Sequence, residues 1–357
     1  MKKPIFSLLF LLSALSAFCQ VTLTGRVVDA ENKEALTGAS VFAQNTTKGT
    51  TTDKDGQFVL SLDKGGYELI VSFTGYDSKT INVQGNETAP ITIELSKSDN
   101  SMSEVVIKSS NEVPDGLEKY GSFFMKHFIG STPFADSCTV VNPEALKFLY
   151  YKRNDRLKVL ASEPLQISNR SLGYNLRYQL DSFVYFFKTG LNSYRGTCLY
   201  SEMEGTEEER QRWEKNRALA YEGSRLHFLR AYYDSTLKQE GFDVDILSRT
   251  VANKFNRLKN PYDTAYYYYN DSTREAELWF PVKASISYNR KSPEKEYLEQ
   301  FRLPANVPIQ LSYIDLLDAI VIKQNGFFFS QQSWVSQGYW SWKNVADQLP
   351  YDYEPPK

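Results

Sequence analysis

Between Val21 and Leu95, apolar residues return at alternate positions in short runs, and turn-forming residues separate the runs. Phe58, Leu60 and Leu62 alternate with polar neighbours, and Leu69, Val71 and Phe73 do the same. A period of two places alternate side chains on one face of a strand, so this segment has to fold as half-buried β-structure. The runs are VTLTGRVV, ASVFAQ, GTTT, QFVLSL, YELIVSF, KTINV and ITIEL, which makes seven candidate strands. With turns between them and no helical period, they predict an all-β sandwich. Asp55-Gly56 marks a tight turn, because glycine accepts a positive φ. Asp53, Asp55 and Gly56 also have the spacing that opens a calcium loop. Such a loop needs a glutamate at its far end, where this chain has Lys64, so the hairpin turn is the better reading.

The segment ahead of the runs has the layout of an export signal. Lys2 and Lys3 are followed by an apolar stretch from Ile5 to Phe18, with Ala17 and Cys19 at a plausible cut that leaves Gln20 first. The alternative is a lipid on Cys19, although Phe18 stands where a lipid-attachment motif wants a small residue. No other stretch is long and apolar enough to cross a bilayer as a helix. An exported protein is therefore expected, periplasmic or associated with the outer membrane of a Gram-negative bacterium. Removing the signal leaves Cys138 and Cys198. They are either a disulfide, worth about 4 kcal/mol in the chain-entropy picture, or two unrelated buried thiols. Neither has the neighbours of a zinc site.

Residues 97–114 are polar, with Val105, Val106 and Ile107 as a lone apolar cluster, and they read as a linker. From 115 to 357 the pattern becomes α+β. Asp115 to Ile129 has helical spacing through Leu117, Tyr120, Phe124 and Phe128, and hairpin-like runs follow, such as Tyr174, Leu176, Tyr178 and Leu180. Thr206 with Glu209 forms a capping box; Ser224 caps a second helix that Gly241 is expected to close. Further strands are expected in ELWFPVKASISY and near IQLSYIDLLDAIVIKQNGFFF. The expected chain is thus multi-domain: signal 1–19, sandwich 20–96, linker 97–114, and an α+β domain over 115–357.

The first of these domains resembles the carboxypeptidase-regulatory-like domain, a prealbumin-like sandwich. The likeness rests on Gly25, Gly38, Gly49, Asp53, Asp55, Gly56, Phe58, Gly75 and Tyr76, in order. The resemblance implies the sandwich fold, and an envelope setting, since the same domain stands at the front of TonB-dependent outer-membrane transporters as an accessory module. It does not imply peptidase activity. In those transporters an EVV segment like the one here lies near the part that couples to TonB. That coupling serves a plugged barrel of about twenty-two strands, too large for the chain that remains. The later segments IGSTPFADSCTVVNPEAL, SEPLQISNRSLGYNLRYQLDSF, RWEKNRALAYEGSRLHFLRAYYD and WKNVADQLPYDYEP resemble envelope proteins that join this region to the sandwich. That group brings no activity or ligand.

The sequence carries none of the familiar catalytic motifs. A zinc carboxypeptidase needs His-x-x-Glu and a later His, whereas the only histidines are His127 and His227, followed three residues on by Gly130 and Arg230. There is no GxSxG, GxGxxG or GxxxxGK[ST]. The net charge of −2 gives no field to draw nucleic acid. A dispersed carboxylate pair remains open, with Asp181, Glu202 and Glu204 near strand ends. The chain is rich in aromatics, with 24 Tyr and 22 Phe, and Trp334, Tyr339, Trp340 and Trp342 crowd the C-terminus. These either pack the second domain or stack on a ligand. The sequence thus favours a non-catalytic envelope protein that needs no cofactor and recognises an unknown protein or a glycan. The alternatives are a glycan or peptide hydrolase and a structural module of a surface assembly.

Overall fold

In a computed structural model, described for residues 21–84, 89–98, 111–249, 255–258, 260–281, 283–329 and 331–356, all seven expected N-terminal strands form. The proposed export segment and the cluster at 105–107 lie outside the described residues. The strands are β1 (Val21–Asp29), β2 (Ser40–Ala43), β3 (Gly49–Thr51), β4 (Gln57–Leu62), β5 (Tyr67–Ser72), β6 (Lys79–Val83) and β7 (Ile91–Leu95). They make two facing sheets, β4-β1-β7 and β3-β2-β5-β6. The alternating residues meet between them: Leu23, Val27, Phe58, Leu60, Leu62, Leu69 and Val71 form one core. The Asp53–Gly56 segment is the expected turn. Gly56 N–H donates to Asp53 O at 3.0 Å, and Asp53 Oδ1 accepts from the amides of Asp55 and Gln57.

A second body is built on one long strand. It comprises α1 (Gly116–Phe128), β8 (Cys138–Val140), β9 (Leu146–Tyr151), β10 (Arg156–Ala161), β11 (Leu165–Asn169), β12 (Tyr174–Phe186) and β13 (Leu191–Glu202). The first half of β12 pairs β11, its second half pairs β10, and β13 covers the other edge. Tyr174, Leu176, Tyr178 and Leu180 point inward, as their alternation requires, and Phe124 and Phe128 of α1 close over them. The ladder slips between Leu180 and Ser182, leaving Asp181 as the extra residue of a β-bulge.

The third body takes the rest of the chain. The capping box at Thr206 starts α2 (Glu207–Tyr221), and Ser224 caps α3 (Arg225–Tyr233). The second helix ends well before Gly241. Ser235 takes a left-handed φ of 59°, and Thr236 N–H returns to Ala231 O at 2.8 Å, which closes the helix end without glycine. Two sheets pack against α3. One is built from β14 (Phe242–Arg249), β15 (Phe255–Leu258), β18 (Lys283–Tyr288), β19 (Gln310–Leu316) and β22 (Trp334–Gly338). The other is built from β16 (Tyr267–Asn270), β17 (Glu275–Leu278), β20 (Ile320–Ile322) and β21 (Phe328–Phe329). Short helices α4 (Lys295–Gln300) and α5 (Tyr339–Trp342) complete it. The single run ELWFPVKASISY is divided between these sheets, broken near Pro281, which has no N–H to give a ladder.

The two cysteines do not pair. Both are free and buried. Cys138 lies on β8 opposite Asn169, and Cys198 on β13 opposite Tyr178, with β11 and β12 between them. Three strand spacings amount to about 14 Å, twice the reach of a disulfide. Of the two sequence alternatives, the bridge is the one that fails. Burial pushes the Cys138 thiol up to about 12 and Cys198 higher still.

Candidate functional site

The C-terminal tail ties the bodies together. Ala346 N–H donates to Ile129 O at 3.0 Å, and Asn169 Nδ2 donates to Ala346 O at 3.0 Å. Tyr351 N–H donates to Asn45 O at 2.8 Å, in the sandwich, and Arg230 Nη2 of α3 donates to Tyr351 O at 2.9 Å. The sandwich also joins β13 directly, through Asn45 N–H to Cys198 O at 2.6 Å and Tyr200 N–H to Thr46 O at 2.9 Å. Asn325 Nδ2 of the third body reaches Gly66 O at 3.1 Å.

Where the three meet, they enclose a cleft of about 750 Å³. That size suits a small ligand, and junctions between bodies are common places for one. The sandwich contributes Gln44, Asn45 and Glu68; β12 and β13 contribute Tyr178, Asp181, Tyr194 and Arg195. Glu222 comes from the C-terminal end of α2 and Arg225 from the start of α3, and Asn344, Asp347, Gln348 and Tyr351 come from the tail. Burial raises the carboxyl of Glu68 above its ordinary value. It raises Asp181 too, against a smaller opposing pull from Arg195. Asp347 is also raised by burial, but it is engaged: its carboxylate accepts from Thr132 Oγ1 at 2.8 Å and from Lys343 Nζ at 3.2 Å.

The aromatic cluster expected from the sequence is a core. Trp334, Tyr339, Trp340 and Trp342 are all buried. Their polar atoms are used internally: Trp340 Nε1 donates to Gly223 O at 2.8 Å, Trp334 Nε1 to Ser336 Oγ at 2.7 Å and Trp342 Nε1 to Gln300 Oε1 at 3.0 Å. The Tyr339 hydroxyl donates to Glu294. Trp334, Tyr339 and Trp340 border the cleft as part of its wall, whereas Trp342 does not. The three candidate carboxylates do not converge. Asp181 faces the cleft, Glu202 is tied to Arg217 at 3.0 Å in a separate hollow of about 360 Å³, and Glu204 is exposed. Both histidines pack against rings. His127 lies 4.4 Å from the Phe123 ring, and His227 is buried, with Nδ1 accepting from Gly223 N–H at 3.2 Å. Among the described residues no group of three or more His, Cys, Asp or Glu side chains could hold a metal ion. Sequence reasoning missed Glu68, Arg225 and Asn45. Only the fold brings them together, and nothing local sets them apart.

Residues 23–107 match the family model of the CarboxypepD_reg-like domain, so the first body is a domain of that class within a multi-domain, β-rich chain. The relatives belong to envelope receptors. Over 93 residues the chain is 30% identical to TonB-dependent receptor P26 of Formosa agariphila, covering 25% of this chain and 9% of that protein. Over 101 residues it is 35% identical to TonB-dependent receptor SusC of Bacteroides thetaiotaomicron, covering 28% and 10%. The chain thus spans about a tenth of the length of these curated relatives. A solved putative membrane-associated protein of unknown function from Bacteroides fragilis is 15% identical, covers 45% of this chain and 65% of its own, and superposes with a TM-score of only 0.19. The receptor relatives suggest an envelope setting and are consistent with an accessory, non-catalytic role. No helix among the described residues is long and apolar enough to cross a membrane.

Proposed function

We propose that this chain is a non-catalytic binding protein of the bacterial envelope, exported by its N-terminal segment, which holds a small polar ligand in the central cleft. The observation that carries the reading is the cleft itself, built from the sandwich, the β12–β13 sheet and α3 together. Its wall combines aromatic rings with amide side chains from Gln44, Asn45, Asn344 and Gln348, which can both donate and accept. Such a surface suits hydroxyl-rich or peptide-like molecules. The sandwich serves as an accessory module that contributes one wall.

One observation favours a second reading, hydrolysis. Glu68 and Asp181 share the cleft, and burial raises both, as an acid catalyst requires. The two readings separate on arrays of glycans and short peptides, with recovered ligand analysed by mass spectrometry. Binding of one class, lost in Ser193→Trp, which fills the cleft from β13, with the ligand recovered intact, is expected. Cleaved ligand, with cleavage abolished by Asp181→Asn or Glu68→Gln, would establish the hydrolase. Binding that Ser193→Trp leaves untouched would remove the cleft from the account.

A further inference from the structure

β13 lends the cleft six consecutive residues, Asn192 to Thr197. A strand that met the space with one face would lend alternate residues, so a consecutive run means that an edge faces it. The other edge of β13 is taken by β12. Two bonds show which backbone groups point which way. Asn45 N–H donates to Cys198 O and Tyr200 N–H donates to Thr46 O, so Cys198 and Tyr200 turn their backbone groups away from β12. That direction alternates along an antiparallel ladder. β13 itself runs without interruption here, because the extra residue of the bulge, Asp181, belongs to β12. Asn192, Tyr194 and Gly196 therefore turn their N–H and C=O groups into the cleft, while Ser193, Arg195 and Thr197 give theirs to β12. Among the described residues the one bond to those cleft-facing groups is a long one, from Gln44 Nε2 to Gly196 O at 3.5 Å.

A row of unpaired ladder groups in a partly enclosed space is a template for another strand. The run Asn192–Thr197 has no Pro and no Lys, the residues that commonly blunt such an edge. The protein already uses the same edge one step further on. Thr46 bridges Leu199 in parallel, so a short piece of the sandwich is added to β13 as a strand would be. The run 192–196 continues that line. β22 also turns an edge to the cleft: Leu317 N–H donates to Ser333 O, so Trp334 and Ser336 point their backbone groups away from β19. It offers two such residues where β13 offers three, and it continues no existing pairing, so β13 is the better dock. The edge repeats its donor and acceptor every second residue, about 7 Å apart. An extended peptide has the same repeat, and a sugar chain does not.

We propose that the cleft takes an extended segment of a partner polypeptide, about six residues long, which adds to the free edge of β13 and bonds to the backbone of Asn192, Tyr194 and Gly196. This rests on the binding reading above and names its ligand. In the free full-length chain the amides of Ser193 and Arg195 are expected to exchange slowly and those of Asn192 and Tyr194 quickly. The probe is a pool of random hexapeptides, acetylated and amidated, captured on the chain and sequenced by mass spectrometry. Binding of the strongest hexapeptide should bring Asn192, Tyr194 and Gly196 into slow exchange. Methylating its backbone nitrogens one at a time should weaken binding about tenfold at every second position and little at those between. Asn192→Pro should fold, since the N–H it removes faces the cleft and not β12, and should weaken the peptide by at least a similar factor. Melting curves check that fold, and the exchange and methylation series need no variant. Slow exchange of Asn192 and Tyr194 in the free chain overturns the inference, because the edge would already be paired. Peptide binding with no alternation along the methylated series overturns it too, as does capture of glycans but of no peptide. In both cases the cleft reading stands if Ser193→Trp abolishes the binding. If no hexapeptide and no glycan binds, both readings fall.

Discussion

Asn169 is the buried side chain that clasps the C-terminal tail to the second body, and a one-atom change tests that role. It is 1% exposed; Nδ2 donates to Ala346 O at 3.0 Å, while Oδ1 accepts from Leu172 N–H at 3.1 Å. Asn169→Asp keeps the shape and the acceptor, but it removes the donor and sets a carboxylate against the Ala346 carbonyl. An uncompensated buried charge costs about 3–5 kcal/mol, so at pH 8 the variant should lose roughly that much. A carboxyl placed there has its folded pKa raised above the unfolded value of about 3.9. Between those two values the folded state binds more protons than the unfolded state, so the deficit shrinks as pH falls. Once protonated, the acid can donate to Ala346 O again, and the loss should drop to about 1 kcal/mol. Asn169→Ala, which has nothing to titrate, should lose about 2–4 kcal/mol at every pH. Urea melts across pH 8 to 5 measure the totals. Amide exchange at Ala346, which donates to Ile129 O, localises the effect. An Asn169→Asp deficit that does not change with pH, or none at pH 8, would refute the clasp.

Three further outcomes are expected. Gly25→Ala places a Cβ 2.5 Å from Ile91 O and 2.6 Å from the Phe58 ring, so the parallel β1–β7 ladder must shift. The sandwich should lose about 1–3 kcal/mol, and an unchanged urea midpoint would mean the two sheets have slack there. The Asp29 carboxylate accepts from Tyr76 OH at 2.7 Å and from the amides of Glu31 and Asn32, which hold its pKa at about 2. Its stabilising effect is present above pH 4 and lost as pH falls toward 2, so Asp29→Asn should flatten the sandwich's stability profile in that window. An unaltered acid slope in a pH series of melts would count against this. Cys138 and Cys198 should resist alkylation in the native protein and react fully in denaturant, because burial keeps both thiols protonated. A Cys138–Cys198 linked peptide in a non-reducing digest would contradict the strand order.

The sandwich was legible because its signal is local. Phe58, Leu60 and Leu62 report their face through their spacing alone, and the Asp53–Gly56 turn follows from the residue types. The caps at Thr206 and Ser224 are local too. Legibility ends where pairing is long-range. ELWFPVKASISY reads as one strand region, yet its halves join different sheets, whose partners stand dozens of residues away. The cysteine alternatives could be resolved only by strand order, because the chain separation of Cys138 and Cys198 is equally compatible with contact and with three intervening spacings. By residue type Trp334 and Trp340 fit both a core and a ligand surface; their burial and satisfied indole N–H groups decide for the core.

The cleft is therefore a property of how the bodies join, and that joint rests on few bonds. The backbone bonds between the sandwich and its neighbours are Asn45 N–H to Cys198 O, Tyr200 N–H to Thr46 O and Tyr351 N–H to Asn45 O, beside side-chain bonds from Asn325 to Gly66 O and from Thr47 N–H to Asp352. Backbone bonds of this kind are worth about 1 kcal/mol each. A ligand touching both Asn45 on one wall and Arg225 on another adds to the same joint. At a hundred times its Kd it contributes about 2.7 kcal/mol, as much as those three bonds together. Occupation of the cleft should then slow amide exchange at Asn45, Tyr200 and Tyr351 several-fold, while amides deep in the sandwich core, such as Leu60, exchange as before. A ligand that binds tightly but slows none of the three would lie on one body alone. The cleft would then be a by-product of packing, with the recognition surface elsewhere.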